Sequence, residues 1–118
     1  MKPLLEYPSA IAHCQNRLLC QEQYIRRLQS IVDALTLEID RQVAFDEQCR
    51  NEAQRKVKRA ELMADPNYVT AVEQLEFAQD KRTDLLTELT LLKNQFSALK
   101  LQMRWDMATL GSDFEQVA

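Results

Sequence analysis

The chain has 118 residues, 46% hydrophobic and 28% charged, with a net charge of −3. That mixture belongs to a folded chain of one domain or one elongated helical unit, not to a disordered one. Glycine occurs once and proline three times. A β-rich fold, a nucleotide-binding βαβ unit and a Gly-rich phosphate loop are therefore all but excluded, and an all-α fold is expected.

The acidic balance gives no general pull toward nucleic acid or anionic lipid. No apolar run approaches the roughly 20 residues that span a bilayer. The opening residues, with Pro3 and Pro8 and the single cation Lys2, do not read as a signal peptide. Cys14, Cys20 and Cys49 are odd in number and widely spaced, which argues against a disulfide framework and suits a reducing cytoplasm.

In chain order, Ser9 after Pro8 can cap a first helix over about 9–64. Asp65-Pro66 combines a good N-cap with a good first helical residue, and Pro66 disfavours helix at Asp65. A tip at 64–67 and a second helix over 66–110 follow. Gly111-Ser112 is the expected stop, and 111–118 is expected to be a loose tail.

The second helix carries a strict 3-4 alternation: Tyr68, Ala71, Leu75, Ala78, Arg82, Leu85, Leu89, Leu92, Phe96, Leu99 and Met103. Such a stripe is a coiled-coil seam, because a 3.5-residue repeat keeps one face toward a partner helix. The first helix repeats the pattern in Ile11, Leu18, Ile25, Val32 and Ile39, with Leu28 and Leu35 at alternate positions. The expected architecture is an antiparallel two-helix coiled-coil hairpin. With the reversal near Asp65, paired residue numbers total about 131. Ala53 and Ala60 then face Ala78 and Ala71, and Ile39, Leu35 and Val32 face Leu92, Phe96 and Leu99. The same reversal lays the basic run 50–59 beside the acidic run 61–80. An alternative folds the first helix back within its polar middle, 40–60, or treats Pro66 as a kink.

The longer first helix would overhang at its N-terminal end, exposing Ile11, Leu18 and Leu19. Trp105 and Met107 follow the strong part of the second seam, with Tyr24 and Arg27 expected across from them. These five apolar residues are the candidate partner-binding positions. The expected partners are a second copy, in a dimeric four-helix arrangement, and another protein.

Arg82 interrupts its seam, either as a register specifier near Cys49 and Asp46 or as a side chain that snorkels to a surface acid. Arg50, Arg55, Lys56, Lys58 and Arg59 could contact phosphates, although they point around much of the helix without interleaved aromatics. His13 is the single histidine, and neither it nor the cysteines have zinc-ligand spacing. No catalytic group, metal, cofactor or small-molecule substrate is expected. The reading is of a non-enzymatic, cytoplasmic interaction, scaffold or adaptor protein working through helix–helix contacts. The alternative is a nucleic-acid-associated protein using 50–59.

Overall fold

In a computed structural model, which describes residues 2–117 and side chains as far as residue 111, the chain is all-helical. The helices are α1 (Tyr7–Ala44), α2 (Glu52–Met63) and α3 (Pro66–Val117), preceded by a 3-10 turn at Leu4–Glu6. No strand occurs among the described residues. Internal packing defines two units, Met1–Leu19 with Thr83–Ala118, and Cys20–Arg82.

α1 starts at Tyr7, so Ser9 lies inside it and is not its cap. Pro8 is tolerated because the first turn of a helix has no use for its missing N–H.

α1 stops at Ala44, not near 64. The Phe45 N–H still bonds the Arg41 carbonyl at 3.1 Å. Asp46 then diverts the backbone: its Oδ1 accepts the Gln48 N–H at 2.9 Å and its carbonyl accepts the Cys49 N–H at 3.1 Å. An Asp side chain closing on the backbone two residues ahead mimics a turn and competes with helix. α2 opens on a reciprocal pair. Asn51 Oδ1 accepts the Gln54 N–H at 2.9 Å, while Gln54 Oε1 accepts the Arg50 N–H at 2.7 Å. This is a near relative of the capping box, and it satisfies donors that a helix start would leave unpaired.

Within the Cys20–Arg82 unit, residues 45–51 reverse the chain, and the expected tip at 64–67 is instead the junction between α2 and α3. Asp65-Pro66 marks a helix start without a reversal. Asp65 Oδ1 accepts the Asn67 N–H at 2.8 Å, and the Asp65 carbonyl accepts the first α3 bond, from the Val69 N–H, at 3.0 Å.

The same unit buries Leu28, Val32, Ala71, Leu75 and Ala78 together, flanked by Ile25, Leu35, Tyr68 and Val72. Thr36 Oγ1 lies 3.3 Å from Tyr68 Oη, and Arg82 Nε bonds Glu22 Oε1 at 3.2 Å, so both pairs total 104 and not 131. The expected alanine pairing fails accordingly: Ala71 and Ala78 pack on α1, and Ala53 and Ala60 are exposed. The basic run also finds different acids. Arg59 pairs with Asp40 at 3.3 Å, Lys58 with Asp46 at 4.0 Å and Arg55 with Glu52 at 4.0 Å. The physical reason is common to all three corrections: a reversal at 45–51, about 17 residues earlier than the expected one near Asp65, slides every α1 residue along its partner.

In the other unit, Tyr7, Cys14, Leu89 and Leu92 form the core, with Ala10, Ile11, Leu18, Phe96 and Leu99 packed around it. Leu92, Phe96 and Leu99 therefore meet the start of α1, in place of Ile39, Leu35 and Val32. α3 continues through Gly111 to Val117, so the expected stop is absent. Gly111 has no positive φ and does not adopt the left-handed cap that would end a helix.

Candidate helix-docking surface

Every seam position named from the sequence except Met103 is buried or half-buried. On α3, Ala71, Leu75, Ala78, Leu85, Leu89 and Leu92 are buried. Tyr68, Arg82, Phe96 and Leu99 are half-buried, and Met103 is exposed. Beyond Leu99 the face opens, and every residue from 100 to 111 is exposed. Leu101, Met103, Trp105, Met107 and Leu110 crowd this stretch, with Trp105 70% exposed. So many large apolar side chains in water on one short segment form a patch that sets this stretch apart, where a lone exposed leucine would mean nothing.

The candidate partner-binding residues separate into two groups. Trp105 and Met107 are exposed, while Ile11 and Leu18 pack against the core of their own unit and Leu19 is half out in solvent. The expected N-terminal overhang is thus covered, because the start of α1 lies against α3. Tyr24 and Arg27 belong to the Cys20–Arg82 unit. Tyr24 borders an open hollow with Thr70, Gln74 and Phe77, and Arg27 sits 6.0 Å from the Tyr24 ring centroid.

Tyr7 lies outside the named seam, yet it is fully buried. Its ring stacks on Phe96 with centroids 5.8 Å apart, and its hydroxyl donates to Gln95 Oε1 at 3.2 Å and accepts the Lys2 N–H at 3.3 Å. Counting back from Leu28 in sevens reaches Cys14 and Tyr7, which is the available signal. Cys14 is buried and its thiol donates weakly to the Leu85 carbonyl at 3.6 Å. Burial pushes its pKa up, with the Glu88 charge adding to the effect. Such a thiol is a packed side chain, not a nucleophile.

Arg82 reaches Glu22, not Cys49 or Asp46. Its side chain is 43% exposed, so it follows the snorkelling arrangement. Three of the five candidate phosphate-contacting cations, Arg55, Lys58 and Arg59, are held by acids, and this weakens the field the run could offer. Cys49 has its thiol 3.9 Å from the Gln54 carbonyl, and partial burial with Asp46 nearby raises its pKa. Among the described residues no group of three His, Cys, Asp or Glu side chains could hold a metal ion, and no helix is long and apolar enough to cross a membrane.

Compared with known proteins, the chain matches no protein-family model, no curated protein and no solved structure.

Proposed function

We propose that this chain is a non-enzymatic scaffold or adaptor that works through helix–helix contacts, built as an antiparallel two-helix coiled-coil hairpin. In this reading two copies associate into a dimeric four-helix arrangement, which leaves surface for another protein. Three free cysteines, unpaired with one another, suit a reducing compartment such as the cytoplasm. The observation that carries the reading is the apolar stretch from Leu101 to Leu110 on α3, exposed although α3 is covered on one face up to Leu99.

Sedimentation equilibrium over a range of protein concentrations, at low and high salt, tests it. Association that persists at high salt is expected, since apolar helix contacts are not screened. A wild-type chain that stays monomeric at every concentration would remove the reading. A chain that instead binds polynucleotide, with affinity collapsing as salt rises, would favour the basic run 50–59.

A further inference from the structure

α3 bears a second apolar stripe that the front seam does not use. Leu91, Asn94, Ala98, Leu101, Trp105 and Ala108 follow one another at spacings of 3, 4, 3, 4 and 3. All six are exposed, Leu91 by 55% and Leu101 by 68%. At about 100° per residue, Leu101 points roughly 200° away from Leu99, so this stripe lies on the back of the helix relative to the seam that packs on α1. Five apolar residues in six at heptad spacing is the pattern of a coiled-coil seam, and here nothing in the unit covers it.

The stripe is complementary to itself. Reversed end for end, Leu91 meets Ala108, Asn94 meets Trp105 and Ala98 meets Leu101. Each leucine meets an alanine and Trp105 meets the shorter Asn94, so large and small side chains alternate as interdigitating layers require. Parallel alignment would stack Trp105 on Trp105 and Leu101 on Leu101, and would leave Ala98 facing Ala98. The flanking residues agree with the reversed alignment: Gln95 meets Gln102, and Arg104 meets Ser97, with no like charges directly opposed. A two-fold interface needs one patch that fits its own copy, and this one does. The opposed helix dipoles add to the preference.

We infer that the back face of α3 is a homodimer interface, in which the stripe from Leu91 to Ala108 pairs antiparallel with the same stripe of a second copy, Ala98 opposite Leu101. The inference rests on the scaffold reading and gives it a surface, an orientation and a register. It moves the self-contact from Ile11 and Leu18, which are packed, to a face that is open.

Two measurements on the full-length chain test it. In sedimentation equilibrium, Leu101→Asp is expected to raise the dissociation constant about tenfold or more, with helicity by circular dichroism unchanged. Ala98→Leu alone should weaken the dimer, and Ala98→Leu with Leu101→Ala should restore it, because each layer regains one large and one small side chain. An unfolded variant would not be rescued in this way. Separately, with Cys14→Ala, Cys20→Ser and Cys49→Ser in place, a chain carrying Ala98→Cys is mixed with one carrying Leu101→Cys and oxidised. The mixed disulfide should dominate. Self-bridging of either chain at equal yield, or no bridge, overturns the register. A dimer indifferent to all these changes removes this interface and leaves the scaffold reading standing; a wild type that never dimerises removes both.

Discussion

Tyr7 and Phe96 stack with their rings inclined by only 13°, which joins the first residue of α1 to the half-buried edge of the α3 seam. Tyr7 is wholly shielded from water, and its hydroxyl keeps two hydrogen-bond partners. Tyr7→Ala should therefore cost about 3–5 kcal/mol, as large-to-small aromatic changes in cores do. Tyr7→Phe keeps the stack and loses only the hydroxyl contacts, for roughly 1 kcal/mol. Urea unfolding followed by circular dichroism measures both. Equal losses would mean that the stack contributes little.

Cys14 and Cys20 are separated by burial. With a chromogenic thiol reagent at neutral pH, Cys20 should react at once, because it is exposed. Cys14 should react only as the chain unfolds, because it is buried and its pKa is raised. Rapid labelling of Cys14 in the native chain would contradict the core of this unit.

Arg82 occupies a seam position but pairs with Glu22 in a partly exposed setting. Arg82→Ala should cost no more than about 1 kcal/mol. Arg82→Leu should be neutral or stabilising by about 1 kcal/mol, since an apolar side chain at that position can pack and needs no partner charge. A large loss for Arg82→Leu in thermal unfolding would restore the register-specifier role.

Glu38 and Arg41 form a close pair on α1, and Arg41 together with Gln42 holds the Glu38 carboxyl from its ordinary 4.5 down to about 2. A carboxyl pKa depressed by folding stabilises above its unfolded value. That contribution is lost as pH falls through the folded value, here between about 4.5 and 2. The carboxyl carbon shift of Glu38 should titrate with a midpoint near 2, and in Arg41→Ala the midpoint should move back toward 4.5.

The heptads of Leu28, Val32, Leu75, Leu85 and Leu92 were legible because burial on a helix follows a fixed angular period, so the buried faces of α1 and α3 could be named from spacing alone. The register was not legible from the same information. A seam tolerates sliding by whole heptads, and about four heptads separate the expected alignment from the observed one. Only the turn fixes it. Its signals were local and side-chain based: Asp46 with Gln48, and Asn51 with Gln54, in a stretch holding neither glycine nor proline. Asp65-Pro66 looked stronger because it contains a helix breaker, yet it restarts a helix without turning the chain back. The docking surface shifted for the same reason. Trp105 stayed exposed, whereas Ile11 and Leu18 acquired neighbours once the start of α1 came to lie on α3.

The junction at Ala64 and Asp65 also isolates the rotational phase of α3 from whatever precedes it. In one unbroken helix, adding or deleting a residue near Lys56 would swing all later side chains by about 100° and scramble their facing. Here α3 takes its starting angle from the Asp65 cap and Pro66. A residue added to or lost from α2 therefore acts on how far α3 is offset along α1, while the stripe within α3 keeps its own facing.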